Sequence, residues 1–266
     1  MTTLTMAARD SSVLTWRNLL NLRRNPGALL AATVQPLMFV LLFAYVFGGS
    51  LGGDGYREFL MGGIFAQAVT FNASFTTIGL ANDLQKGVVD RFRSLPMSRL
   101  ALVLGRTTSD LAISILTLTV TSLCGLLIGW RIRGSLLDAV AAYALILLFA
   151  FATSWIGATI ALTARSVEVA QSAGLIWLFP TTLISTAFVS AAAMPAPLRA
   201  LAEWNPVSAI ATASRELFGN PVPPGLPQPS GWPAQHATAY AVLSALALIA
   251  VFMPLALSRY RRLARR

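Results

Sequence analysis

Residues 139–162 read AVAAYALILLFAFATSWIGATIAL, a run of 24 residues without a charged side chain. A helix rises about 1.5 Å per residue, so this run is long enough to cross a bilayer core of roughly 30 Å. Five more runs of about 20 residues or longer also lack charges, at 28–48, 59–80, 111–130, 169–194 and 237–257. The pattern predicts an all-α integral membrane protein, a bundle of six transmembrane helices.

The predicted transmembrane helices belong to one domain over residues 1–266, and their bounds are 28–48, 59–80, 104–130, 137–162, 168–190 and 237–257. Pro36, which follows Gln35 in the first helix, predicts a kink whose freed backbone groups need partners from neighbouring helices. The uncharged run at 169–194 exceeds one crossing, so we expect part of it to bend or re-enter the membrane. The stretch 191–235 holds most of the prolines and is predicted to be an outer re-entrant or loop region.

The basic residues predict the orientation of the chain. Fifteen of the twenty Lys and Arg residues lie in alternate connections: before the first span, between the second and third, between the fourth and fifth, and after the sixth. Basic residues near span ends remain in the cytoplasm. Both termini are therefore predicted to be cytoplasmic, including a basic tail at 258–266. Arginine outnumbers lysine nineteen to one, which fits a GC-rich bacterial genome, so we expect a multi-pass protein of the bacterial inner (plasma) membrane.

The net charge of +10 does not indicate a nucleic-acid partner. The basic residues follow the span ends, where they determine topology and meet anionic lipid headgroups. We therefore predict membrane lipid as a partner and no nucleic acid.

The chain lacks the residues that several kinds of chemistry need. A phosphate-binding loop requires a Gly-Lys-Ser/Thr sequence, but the only lysine, Lys86, precedes Gly87. One histidine, His236, and one cysteine, Cys124, cannot form a metal site of several such ligands. The six uncharged runs contain no carboxylate for a proton- or sodium-driven carrier. We therefore predict no catalytic residue, no metal and no cofactor in this chain, and an energy source outside it.

Two segments outside the spans have amphipathic patterns. In residues 10–25, Val13 and Trp16 fall opposite Arg17 at helical spacing, which favours a helix on the membrane surface over a cytoplasmic tail helix. In residues 82–99, the apolar side chains of Val88, Phe92 and Leu95 share one helical face. Pro96 then ends the predicted helix. This second helix fits a groove on a soluble partner, or the same face rests on the membrane.

Several motifs occur in order along the chain. The loop after the second span reads Lys86-Gly87-x-x-Asp90-Arg91-x-x-x-x-Pro96-x-Ser98-Arg99. The others are Arg24-Asn25-Pro26 before Gln35-Pro36, Tyr56-x-x-Phe59-Leu60-x-Gly62-Gly63-Ile64, Leu104-Gly105-Arg106, Met194-Pro195, and Trp204-Asn205-Pro206-Val207 with Arg215 beyond. Together they resemble ABC-2-type transporter permeases, most closely the daunorubicin-resistance (drug exporter) branch. Two departures are Asp83 and Asp90, which stand where that family commonly has glutamate.

The resemblance implies a specific organisation. Residues 10–25 correspond to the family's connecting helix, 82–99 to its cytoplasmic coupling helix, and 195–206 to part of an outer re-entrant helical hairpin. Such permeases pair as homo- or heterodimers, and each binds a separate ATPase subunit that holds ATP and Mg. The residues expected to couple to the ATPase are Asp83, Lys86, Gly87, Asp90, Arg91, Phe92 and Pro96.

The uncharged span interiors favour a hydrophobic or amphipathic cargo, such as a drug or a lipid. Amide side chains within the spans are candidates to line its path, although each could equally pack against a neighbouring helix; they are Gln35, Gln67, Asn72 and Gln171. The predicted function is therefore the permease subunit of an ATP-driven exporter. The alternatives are an ABC-2-type exporter of a polysaccharide or other polar cargo, and a membrane scaffold without transport activity.

Overall fold

The structure is a computed structural model that describes residues 13–20, 24, 26–47, 53–87, 101–220, 222 and 231–263. These residues are mainly helical, and none of them forms a strand. The helices are α1 (13–20), α2 (Pro26–Leu41), α3 (Gly53–Gln85), α4 (Ala101–Leu127), α5 (Leu136–Thr163), α6 (Val167–Leu183), α7 (Ala196–Glu203), α8 (Pro206–Phe218), α9 (Trp232–Gln235) and α10 (Ala237–Leu263). A π-helical segment, Leu42–Phe47, continues α2, and a 3-10 turn, Ala191–Ala193, precedes α7.

Within the described ranges, five helices are long and apolar enough to cross a membrane. Their candidate spans are Leu29–Val46, Gly55–Gln85, Val103–Leu127, Leu136–Thr163 and Ala237–Leu263. This confirms the prediction of an all-helical protein with several membrane-spanning segments. The sixth predicted span, at 168–190, corresponds to α6, which has 17 residues and a length of about 25 Å.

The side chain of Asn205 helps to explain where α6 ends. Its Nδ2 donates hydrogen bonds to the carbonyl oxygens of Thr181 and Ile184, both at 2.6 Å. Its Oδ1 accepts a hydrogen bond from the backbone N–H of Val207 and caps α8. One side chain thus satisfies carbonyls at the end of α6 and starts α8, so the chain turns over 184–190 instead of continuing as one helix.

Helix α3 is the centre of the bundle, and most of its span is buried inside the protein. It packs against α4, α5, α6 and α8. Small residues permit these close approaches: a Cβ at Gly157 of α5 would lie 2.5 Å from the carbonyl oxygen of Ala73 in α3. Helix α8, which lies in the predicted outer region, therefore packs against α3, a helix that also reaches the opposite end of the bundle.

The two ends of the bundle have separate apolar clusters. At the α1 end, Leu14 packs in a cluster with Leu80 and Trp155. At the α8 end, Trp130, Phe218 and Phe65 belong to a larger cluster. There the Nε1 of Trp130 donates to Asn220 Oδ1 at 2.8 Å, and the backbone N–H of Arg133 donates to Phe218 O at 2.8 Å. The loop between α4 and α5 is thus fixed to the end of α8.

Arg215 is buried at the α8 end and fastens α8 to α3. Its Nε donates to Phe59 O at 2.7 Å, and its Nη2 donates to Thr186 O and Ala187 O at 2.9 and 2.8 Å. The guanidinium also lies 3.6 Å from the centre of the Phe59 ring. Burial lowers the pKa of Arg215 to about 9, so the group keeps its charge at neutral pH.

Candidate functional site

Helix α1 is tied to both helices that flank the predicted coupling segment. Arg17 Nη2 lies 3.3 Å from Asp83 Oδ2 near the end of α3. Asn18 Nδ2 donates to Ser109 Oγ in α4 at 3.3 Å, and Thr15 Oγ1 donates to Gly105 O at 3.3 Å. A displacement of α1 therefore acts directly on α3 and α4.

The buried and exposed faces of α1 differ in a way that fits a helix at a membrane surface. Leu14 and Asn18 are buried against the bundle, whereas Trp16 is 65% exposed and Val13 is 57% exposed. Tryptophan prefers the headgroup layer of a bilayer. The face that the bundle does not cover is therefore partly apolar, and its contact with lipid stays a prediction.

Helix α3 extends into the predicted coupling segment and ends at a glycine turn. Residues 82–85 form its last turn, so they continue the second span and do not begin a separate helix. The backbone N–H of Gly87 donates to Leu84 O at 3.1 Å, and Gly87 has a φ of 65°, which favours glycine. Lys86 is exposed beside this turn. The remaining coupling candidates lie outside the described residues; they are Asp90, Arg91, Phe92 and Pro96.

A buried ion pair lies near this end of the bundle and was not predicted. The span Val103–Leu127, like the predicted helix at 104–130, includes Arg106 and Asp110, which lie just before the uncharged run at 111–130. Arg106 Nε lies 3.3 Å from Asp110 Oδ1, and Asp110 Oδ2 accepts a hydrogen bond from Thr76 Oγ1 in α3. The signal in the sequence was an i,i+4 pair of opposite charges directly before an uncharged run.

Three of the four predicted path residues line one pocket between α2 and α3. The walls of this pocket include Gln35, Gln67 and Asn72 together with the rings of Phe39 and Phe71. The fourth, Gln171, is exposed on α6 and is not among the lining residues. The fold thus brings together amide groups that are up to 37 positions apart in the sequence.

The amides in this pocket differ in their hydrogen bonding. Asn72 Nδ2 donates to Ser114 Oγ and Thr117 Oγ1 in α4, both at 3.3 Å. Gln67 is 3% exposed, and its buried Oε1 has no hydrogen-bond partner among the described residues. An unsatisfied buried carbonyl is costly. Asn72 therefore joins helices, whereas Gln67 Oε1 is buried beside the pocket without a hydrogen-bond partner among the described residues.

The α2–α3 pocket is small and has aromatic walls. Its cavity volume of about 10 Å³ is room for about one water molecule, far below the roughly 300–1,000 Å³ that is common for small-molecule sites, so the helices must separate before it can admit a larger ligand. Phe71 packs edge-on against Phe179 of α6 at 5.5 Å, and Phe39 stacks on Phe188 at 5.9 Å. A change in the positions of α2 or α6 would therefore alter the width of the pocket. Among the described residues, no group of three or more His, Cys, Asp or Glu side chains could hold a metal ion.

Comparison with known proteins confirms the resemblance. The family model described as ABC-2 type transporter matches residues 10–218. The chain is also 33% identical over 254 residues to the "Daunorubicin resistance ABC transporter permease protein DrrB1" of Streptomyces coeruleorubidus. That match covers 92% of this chain and 84% of the relative. Permeases of this family are the membrane subunits of their transporters and work with a separate ATPase. The chain is therefore a multi-pass membrane permease of the ABC-2 type transporter family.

Proposed function

We propose that this permease exports a hydrophobic or amphipathic small molecule, a drug or a lipid, through a complex with a separate ATPase and a second permease copy or paralogue. The observation that carries the cargo class is the lining of the α2–α3 pocket, in which uncharged amide side chains lie among the aromatic rings of Phe39 and Phe71. The name of the relative from Streptomyces coeruleorubidus supports a drug as cargo.

In this proposal the α1 end faces the cytoplasm and receives the ATPase. The support is the concentration of basic residues in the connections at this end. The ATPase contacts the segment that begins at Lys86 and Gly87 and continues over 88–99. Because α1 binds Asp83 and α4, movement of this segment tilts α3 and α4 together and changes the width of the α2–α3 pocket.

We also propose that α6 is the sixth crossing. A helix of about 25 Å crosses a bilayer that thins slightly around it or that receives the adjoining turn at its surface. The uncharged residues at 184–194 and the α7–α8 hairpin would then complete the crossing at the outer side. An even number of crossings places both termini on the same side of the membrane, and the basic residues near the span ends indicate that this side is the cytoplasm.

The decisive experiment combines purification with transport. A tagged chain is isolated in mild detergent, and the ATPase and any second permease that accompany it are identified and reconstituted in proteoliposomes. We expect uptake of a fluorescent amphipathic drug into inside-out vesicles that requires hydrolysable ATP. Uptake without nucleotide, or an ATP-dependent uptake of polysaccharide but not of amphipathic drugs, would refute the proposal.

A further inference from the structure

The α2–α3 pocket can admit a cargo only if one of its two walls moves, because its cavity of about 10 Å³ has room for about one water molecule. One wall belongs to α2 and includes Ala32 and Pro36; the other belongs to α3 and includes Ala68 and Asn72. Most of the α3 span is buried inside the protein, whereas only 22% of the α2 span is buried. Helix α2 is therefore the wall that the rest of the bundle encloses less.

A proline in α2 leaves one carbonyl oxygen of this wall without its usual donor. Pro36 has no N–H, so it cannot donate to Ala32 O as a residue four positions later normally does in a helix. Thr117 of α4 supplies the missing donor: its Oγ1 donates to Ala32 O at 3.2 Å. All three residues are buried, and Thr117 has no exposed surface. A neighbouring helix thus satisfies the carbonyl oxygen that the proline frees.

Asn72 of α3 orients the hydroxyl of Thr117. Its Nδ2 donates to Thr117 Oγ1 at 3.3 Å, so this oxygen accepts one hydrogen bond and gives its own hydrogen to Ala32 O. Asn72 lines the pocket and is itself buried. A single chain of hydrogen bonds therefore links α3, α4 and α2 at the wall of the α2–α3 pocket.

Two other prolines within long helices are not held in this way. Pro180 lies in α6 and Pro254 lies in α10. The carbonyl oxygens four residues earlier belong to Ile176 and Ala250, and among the described residues neither accepts a hydrogen bond from a side chain. The bond to Ala32 O is therefore a property of this position and not a general consequence of proline in a helix.

Thr117 also differs from a neighbouring threonine on the same helix. Threonine in a helix often donates to a carbonyl oxygen three or four residues earlier. Thr119 does so and donates to Ile115 O at 2.8 Å. Within the described part of the chain, no hydrogen bond other than that from Thr117 joins α2 to another helix. Without it, only van der Waals packing would hold α2 to its neighbours.

These contacts give a role to a residue that does not itself line the pocket. We propose that Thr117 is a positioning residue: its hydroxyl holds α2 against α4 at Pro36 and keeps the α2–α3 pocket closed, and the pocket opens when the hydroxyl releases Ala32 O. This inference rests on the proposed function, in which a tilt of α3 and α4 changes the width of the pocket. A tilt of α4 moves Thr117 away from α2 and breaks the bond.

The reactivity of a cysteine in the pocket measures its opening without any need for transport. In a Cys124→Ala background, Ala68→Cys places the only thiol in the α3 wall, at a position that is 5% exposed. The purified full chain in lipid nanodiscs is treated with methyl methanethiosulfonate, a small uncharged reagent, and intact mass spectrometry gives the labelling rate. Thr117→Val keeps the shape of the side chain but removes the donor. Labelling should become about fivefold faster, the effect of one lost hydrogen bond.

Two further variants test whether the hydroxyl itself is responsible. Thr117→Ser retains the donor and should label at the rate of the unchanged background. Thr119→Val removes a hydroxyl that bonds within α4, and it should label at that rate too. The proposal is overturned if Thr117→Val labels no faster than Thr119→Val, or if Thr117→Ser labels as fast as Thr117→Val.

Pro36→Ala tests whether Thr117 acts through Ala32 O. Alanine at this position restores the backbone N–H that donates to Ala32 O inside α2, so the carbonyl oxygen no longer depends on Thr117. In this background Thr117→Val should change the labelling rate by less than about twofold. A fivefold acceleration that persists there would show that Thr117 acts through another contact, which overturns the proposal. A lack of ATP-dependent drug uptake would refute the proposed function instead, because labelling is measured without the ATPase and without cargo.

Discussion

At Gly63 of α3, the absence of a side chain lets the turn after α6 lie directly on the helix. A Cβ at this position would overlap the backbone of Ala187. Gly63→Ala should therefore reduce the free energy of unfolding by about 1–3 kcal/mol, because backbone must shift to make room. Thermal unfolding in detergent, followed by size-exclusion chromatography, measures the loss.

Gly174 of α6 provides the matched control for that substitution. A Cβ there would lie 3.7 Å from Thr77 Cγ2, which is ordinary van der Waals contact. Gly174→Ala should therefore keep the wild-type unfolding temperature. Equal stability of the two alanine variants would show that the turn at Ala187 does not need the close approach at Gly63.

The substitution Gln67→Leu distinguishes a transport role of this side chain from a packing role. Gln67→Leu removes a buried carbonyl without a described partner, so stability should be unchanged or slightly higher. If the pocket holds cargo, the same variant should reduce ATP-dependent uptake about fivefold to tenfold through the loss of one hydrogen bond. Gln171→Leu, on an exposed surface of α6, is the control that should transport normally. Normal uptake by Gln67→Leu would exclude this acceptor from the path.

Among the helices, α1 binds the ends of both α3 and α4. The Arg17–Asp83 pair is partly exposed, so it contributes only about 0.2–1 kcal/mol to stability. Its effect on coupling should be larger, because it holds α1 to the helix that leads into the coupling segment. Arg17→Asp and Asp83→Arg alone should each lower the amount of drug transported per ATP hydrolysed.

The double variant with both charges exchanged is the control for this element. It restores an attractive pair at the same positions and should recover most of the coupling lost by either single change. A double variant that couples no better than the single ones would show that α1 does not act through this contact.

At the scale of the whole molecule, the orientation in the membrane decides where the ATPase binds. In a Cys124→Ala background, cysteines replace two exposed uncharged residues at opposite ends of the bundle, Gln85 and Ile132. An impermeant maleimide added to intact cells should label Ile132→Cys at once and Gln85→Cys only after permeabilisation. Labelling of Gln85→Cys in intact cells would reverse the proposed orientation and place the coupling segment away from the ATPase.

Much of the architecture could be predicted because it depends on local composition. A charge-free run such as 139–162 has no stable alternative to a membrane helix, since every buried backbone group must be satisfied within the segment. The end of α6 at Leu183 could not be predicted in this way. It coincides with hydrogen bonds from Asn205, which is more than twenty residues away along the chain and lies directly before α8.

The amino-acid pattern alone was enough to predict the membrane setting, the family resemblance and a set of amide residues that are candidates to line the transport path. Only the tertiary structure showed that Gln35, Gln67 and Asn72 share one pocket and that Gln171 lies elsewhere. It also revealed that Arg215 and Asp110 are buried, although both lie outside the uncharged runs. The physical reason is that composition decides whether a helix enters the membrane, whereas the environment of one side chain depends on the neighbouring helices that pack against it.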